Sequence, residues 1–128
     1  MRVLLDTHAL LWAAFRKHQL SARAQHLIQP QRNEIYVSAA SAWEIATKYR
    51  LGKLPQALAL VEDFVTVIRA AGYLPLPISL EHALRAGRLA PDHKDPFARM
   101  LAAQAIHEDL ALISNDERLD IFGVRREW

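Results

Sequence analysis

The sequence predicts an α/β fold, a central and mostly parallel sheet with helices on both faces. Three observations predict it. Short apolar runs recur at Arg2 to Leu5, Ile35 to Val37 and Leu110 to Ile113, each the length of a buried strand. Segments with helical spacing separate them, so consecutive strands are joined by crossovers, as a parallel sheet requires. A chain of 128 residues, 52% of them apolar, is enough for one domain with a buried core and leaves no room for a second.

The elements follow in order. Arg2 to Leu5 is the first strand; Asp6 and Thr7 end it, and a dense helix-forming stretch runs from His8 to Phe15. Ser21 caps a second helix that Pro30 stops near Gln29. Ile35, Tyr36 and Val37 form a second strand. A helix then starts at Ser38 or Ser41 and runs to about Leu51, with Gly52 as its stop. Leu58, Val61, Phe64, Val65 and Ile68 make one further amphipathic helix, ended near Gly72. Leu74 to Ile78 reads as an edge strand, because Pro75 and Pro77 cannot donate to a ladder on both sides. Ser79 caps a helix over Glu81 to Ala86, and Gly87 to Lys94 is a polar loop. Asp95 followed by Pro96 is a helix start, with the helix running to about Glu108. Leu110 to Ile113 is a late strand closed by Ser114, Asn115 and Asp116, and Val124 begins a last one.

Composition excludes several function classes. With no cysteine, thiolate catalysis, disulfides and Cys-ligated zinc are out, and a reducing cytoplasm is the expected compartment. The N-terminal apolar run is broken by Asp6, Thr7 and His8, so neither a signal peptide nor a membrane span is expected, and no membrane partner. Sixteen basic against fourteen acidic residues give a net charge of +2, which permits a phosphate-bearing partner without arguing for one.

Four acids carry the chemical argument. Asp6 ends the first strand, Glu44 lies in the helix after the second, Asp95 opens the helix before the late strand, and Asp116 follows that strand. Ligand sites in open parallel sheets form outside the carboxyl ends of strands, so these acids are expected to converge. Two carboxylates about 4 Å apart repel by roughly 1 kcal/mol in water and about 4 kcal/mol at an effective dielectric of 20. A cluster of this kind is stable mainly around a cation, and hard oxygen ligands suit Mg²⁺ or Mn²⁺, which activate water against a phosphodiester. Each acid also has a structural reading: Asp95 as a helix N-cap, Asp116 as the opening of a turn, Glu44 as an exposed helix acid, and Asp6 as a cap for the helix it precedes.

The segments MRVLLDTHALLW, VSAASAWEIATKYRLGKL, HKDPFARMLAAQA and LALISNDERLDIFGVRREW, in that order, resemble PIN-domain ribonucleases of the VapC toxin type. The resemblance spans nearly the whole chain. It implies one PIN domain over residues 1–128 and a divalent-metal-dependent endoribonuclease, the toxin of a type II toxin–antitoxin pair, that cleaves RNA with metal-activated water. It makes Asp6 the central Mg²⁺ or Mn²⁺ ligand, Glu44 the second and Asp116 the last. The family's remaining acid falls at position 98, where members read Asp-Pro-Phe-Asp-Arg and this chain has Ala98. The resemblance therefore implies impaired activity here. Asp95, three residues earlier, is left as the catalytic candidate nearest that position, through water or as a cap only. The implied partners are a VapB-type antitoxin, an RNA substrate and a second toxin subunit in a homodimer, for which the uniformly apolar Ala9 to Phe15 stretch is the candidate surface.

Lower in rank, His8, His93 and Lys94 (the last two read as loop residues in solvent), with Lys48, Arg50, Lys53, Arg99, Arg125 and Arg126, are candidate phosphate contacts. The rival to an enzyme is the same fold acting as a binding module, a reading that Ala98 favours. Phosphotransfer enzymes of the haloacid-dehalogenase or response-regulator kind also place an Asp at a strand end. They are disfavoured because His8 stands where the first needs a second acid, and Asp6 has no adjacent acid as in the second.

Overall fold

Val3, Leu4 and Leu5 are fully buried, and that is possible for three successive strand residues only where both faces of the sheet are covered. The computed structural model, which describes residues 1–128, has this strand, β1 (Arg2–Leu5), at the centre of five parallel strands in the order β3-β2-β1-β4-β5. The partners are β2 (Glu34–Ser38), β3 (Leu74–Leu76), β4 (Ala111–Ile113) and β5 (Arg126–Glu127). Val3 registers against Ile35 on one side and Ala111 on the other. Side chains alternate across the pleat. Val3, Leu5, Ile35, Val37 and Ile113 therefore join one core with Leu10, Leu11, Ile45 and Ile68, whereas Leu4 and Leu112 join the other with Ala40, Leu101, Ala105 and Leu119.

The crossovers supply the two covering layers. Helices α1 (Thr7–Phe15) and α2 (Ala22–Leu27) link β1 to β2. Helices α3 (Ala39–Arg50), α4 (Leu58–Glu62) and α5 (Phe64–Ala70) link β2 to β3, and α6 (Leu80–Arg88) and α7 (Pro96–His107) link β3 to β4. From β1 the chain steps outward to β2 and β3, then returns to the opposite side of β1 as β4. The strand order thus reverses between β1 and β4, which fixes where a ligand site can open.

The sequence expectations hold for the fold class and for each helix start at Ser21, Ser38, Ser79 and Asp95, whose side chains accept a backbone N–H of the first turn. Three details differ, the first being that the last strand starts at Arg126 and not at Val124. The amphipathic segment after Gly52 is two short helices broken at Asp63, whose backbone (φ −146°, ψ 54°) is not helical and whose side chain caps nothing. The edge strand stops at Leu76, short of the second proline. Position 72 needs glycine on two counts: its φ is +86°, and a Cβ there would meet Pro30 carbons at 2.9 Å.

Polar side chains fasten the layers. The buried Gln104 of α7 accepts the Ser38 hydroxyl at the end of β2 and donates to the Pro77 carbonyl (3.3 Å). Arg99, also on α7, donates to the carbonyls of Ala86, Leu89, Ala90 and His93. The guanidinium is thereby spent on holding the 86–93 loop, and it is not free for phosphate as the sequence allowed.

Candidate active site

Asp6 sits where β1 ends. Its N–H continues the ladder to the Ile113 carbonyl of β4 (3.1 Å), and its carboxylate caps α1 by accepting the Ala9 N–H at 2.7 Å. This is the capping reading of Asp6, and it leaves the residue buried, 8% exposed, at the point of strand reversal. Burial pushes the carboxyl above its ordinary value; the Ser114 hydroxyl, the Ala9 N–H and His8 oppose the rise, and Glu44 adds to it.

Glu44 is brought to the same place by helix docking. The Thr7 and Ser41 hydroxyls meet at 3.0 Å where α1 and α3 begin, and Glu44 lies one turn beyond Ser41 on the same face. Only 5% of Glu44 is exposed, so the exposed-acid reading is replaced by a buried carboxylate held by Lys48 at i+4.

Asp116 follows β4 and caps the 3₁₀ turn Glu117–Phe122. Its Oδ1 accepts the Arg118 N–H (3.1 Å) and Nε (2.9 Å); its Oδ2 accepts Arg118 Nη2 (3.0 Å) and His93 Nε2 (3.1 Å). The Arg118 guanidinium holds this carboxyl well below the usual carboxylate range, and the bond from His93 adds to it. His93, expected in solvent, is 4% exposed. Its Nδ1 takes the Asp95 N–H at 3.3 Å, so Nε2 carries the ring proton and donates it to Asp116.

Asp95 caps α7 through the Phe97 N–H (3.0 Å). Together Asp6, Glu44, Asp95 and Asp116 line one cleft of about 350 Å³, along with Thr7, His8, Lys48, Ala98, Asn115 and Arg118. Position 98 thus faces the acids, one turn into α7 from Asp95. The donor set is hard oxygen throughout, and a carboxylate as buried as Asp6 lacks a full counter-charge, so the residues fit Mg²⁺ or Mn²⁺. Asp6, Glu44 and Asp116 are candidate direct ligands; Asp95 lies at the rim.

Sequence reasoning missed Arg118, the buried role of His93 and the Thr7–Ser41 contact. An Arg two residues after a turn-capping Asp was the available signal for the first. It also missed a second group: one ligand atom each of His82, His107 and Glu108 lie within 4.8 Å of one another. The oxygens of Asp6, Glu44 and Asp116 do not close to such a spacing, each being turned to a partner within the protein. The histidine group is nonetheless a poor metal site. His82 Nδ1 accepts the Ser79 N–H at 3.0 Å in a capping box, while Nε2 lies 2.9 Å from Glu108. A histidine that ligates through Nε2 keeps its proton on Nδ1 and donates it outward, and here a donor occupies that side. The His82–Glu108 pair ties α6 to α7 instead.

Comparison with known proteins bears on the family and the fold. The PIN domain profile matches residues 3–124. Over 64 residues, half of this chain, the sequence is 47% identical to ribonuclease VapC16 of Mycobacterium tuberculosis, and the matched stretch spans 44% of that protein. VapBC2 from Rickettsia felis, bound to a DNA fragment from its promoter, superposes over all of this chain and 99% of its own with a TM-score of 0.71 and 18% identity. VapBC-1 from nontypeable Haemophilus influenzae gives 0.68 at 16% identity, covering 99% and 97%. At such identities the two structures share the fold.

Proposed function

Since the chain belongs to the PIN-domain family, we propose that its acidic cleft is the site of a divalent-metal-dependent endoribonuclease of the VapC toxin kind. The observation that carries the proposal is the convergence of Asp6, Glu44 and Asp116 on one cleft at the strand-order reversal. Asp6, Glu44 and Asp116 would hold Mg²⁺ or Mn²⁺, and a cation there would supply Lewis acidity and a water of lowered pKa. The rest of the work belongs to the chain's own side chains. Asp6, capping α1 and walled in by β1 and β4, is fixed in place before any ligand arrives. His93 orients Asp116 from behind. Asp95 fixes the first turn of α7, which aims position 98 at the cleft, and stands near enough to act on the substrate through water. Lys48 and Arg118 supply the cations at the mouth where an RNA phosphate would enter.

Ala98 presents a methyl group where the family pattern has a carboxylate, so this chain is proposed to cleave slowly. The same methyl favours a second reading, a PIN-fold module that binds without cutting. RNA hydrolysis with Mn²⁺, compared between this chain, Ala98→Asp and Asp6→Asn, separates them. The enzyme reading expects Ala98→Asp to be fastest and Asp6→Asn to be inert; equal, metal-independent rates in all three refute it.

The partners proposed are a VapB-type antitoxin and a second copy of the chain, in the cytoplasm. Two observations support them. The fold neighbours named above are toxin–antitoxin complexes. An entirely apolar groove of about 260 Å³ also runs between α1 and α4–α5, lined by Ala13, Phe15, Leu60, Val67 and Tyr73 among others, with Phe15 42% exposed. No helix is long and apolar enough to cross a membrane. Light scattering of the isolated chain tests the dimer, and a monomer at high concentration contradicts it.

A further inference from the structure

We infer that Arg118 is a displaceable counter-ion that closes the third acid of the cleft until a divalent cation takes its place. The inference rests on the metal-cleft reading above and adds a competitor to it. A carboxylate has about four lone-pair positions, and all four on Asp116 are filled: two by the Arg118 backbone N–H and Nε, one by Arg118 Nη2 and one by His93 Nε2. Three of the four donors belong to Arg118. A cation can reach Asp116 only by removing one of them.

The two holders are not equally easy to remove. His93 is 3% exposed in its side chain and is held from behind by the Asp95 N–H, so displacing it would open the loop that positions α7. The Arg118 side chain is 75% exposed and pairs with Asp116 alone. An ion pair this open to water is worth little and swings out at small cost. The guanidinium is therefore the moving part and His93 the fixed one. Once released, Arg118 stays tethered two residues from Asp116 on the cleft wall.

A purely structural role, bracing the 3₁₀ turn, predicts the opposite effect on metal binding, because loosening the turn would disorder a ligand. The test is Mn²⁺ titration of the full chain, read by the electron paramagnetic resonance signal of free Mn²⁺, for the parent, Arg118→Ala, Arg118→Lys and Asp6→Asn. Removing a unit charge about 6 Å from a dication in water is worth roughly tenfold in affinity before salt screening. The Arg118→Ala chain is expected to bind Mn²⁺ about three- to tenfold more tightly than the parent. The Arg118→Lys chain keeps the charge and loses the fork; it should also gain, by less. Unchanged or weaker binding by Arg118→Ala overturns the inference, as does Arg118→Lys at the parent's affinity, which would leave only net charge at work. If the parent and both Arg118 variants bind no more Mn²⁺ than Asp6→Asn, it is the metal-cleft reading that fails, and the counter-ion falls with it.

Discussion

Restoring a carboxylate at position 98 should destabilise the protein in the absence of metal and make its stability metal-dependent. Ala98 lines the cleft with Asp6, Glu44, Asp95 and Asp116, so Ala98→Asp adds a fifth acid to a site whose existing charges are only partly balanced by Lys48 and Arg118. Repulsion between carboxylates about 4 Å apart lies between roughly 1 kcal/mol in water and about 4 kcal/mol at a dielectric of 20. Position 98 is also the third residue of α7, where a negative charge gains about 0.5 kcal/mol from the helix N-terminus. The net cost is about 0.5 to 3.5 kcal/mol. For 128 residues, an unfolding entropy near 2.1 cal/mol/K per residue makes each kcal/mol worth about 4 °C, so Tm in EDTA should fall by roughly 2 to 13 °C. Mn²⁺ at about 100 times its Kd returns about 2.7 kcal/mol, or roughly 10 °C. Calorimetric melting of the parent and the variant, each in EDTA and in Mn²⁺, measures both. A variant as stable as the parent in EDTA, or one whose Tm ignores Mn²⁺, would refute the placement of position 98 among the acids.

Other perturbations probe the surroundings of the cleft. His93→Ala removes a buried donor that joins Asp116 to the Asp95 loop, and should cost about 1 to 3 kcal/mol in urea unfolding. Arg99→Ala frees four carbonyls and should raise hydrogen exchange across residues 86–94 more than elsewhere. Asp6 and Asp116 should act oppositely with pH. Folding raises the Asp6 value, so its contribution favours the fold at acid pH and is lost as pH rises through the carboxylate range. Folding lowers the Asp116 value, so its contribution is present above the ordinary carboxylate pKa and is lost as pH falls below it. In metal-free melting curves taken through that range, Asp6→Asn, which keeps the capping oxygen, should gain relative to the parent as pH rises, and Asp116→Asn should lose.

What could be read from the residues alone was what local chemistry decides. Asp95-Pro96 announces a helix start whatever surrounds it, and Val3 to Leu5 ending in an acid announces a buried strand with a site at its end. Those local signals, with the parallel-sheet rule, lead to the expectation that Asp6, Glu44, Asp95 and Asp116 converge, while the ligand roles came from the family resemblance. What could not be read depends on partners distant in sequence. His93 looks like a loop histidine because its neighbours are polar, and its buried contacts come from Asp116 and Phe122, both more than twenty residues later. Arg99 looks like any surface cation until the 86–93 carbonyls turn toward it. The break at Asp63 has no proline or glycine to mark it. The closing of Asp116 by Arg118 is local in sequence, yet it depends on the side chain folding back rather than outward, which spacing does not specify.

The central claim is that Asp6, Glu44 and Asp116 form one divalent-cation site. Anomalous diffraction from crystals of the chain soaked in Mn²⁺ tests it most directly. The account predicts a manganese peak in the cleft with carboxylate oxygens of Asp6 and at least one of Glu44 and Asp116 at about 2.1 Å, the spacing of hard-cation coordination. Manganese bound only at His82, His107 and Glu108, or no peak in the cleft at saturating Mn²⁺, would contradict it.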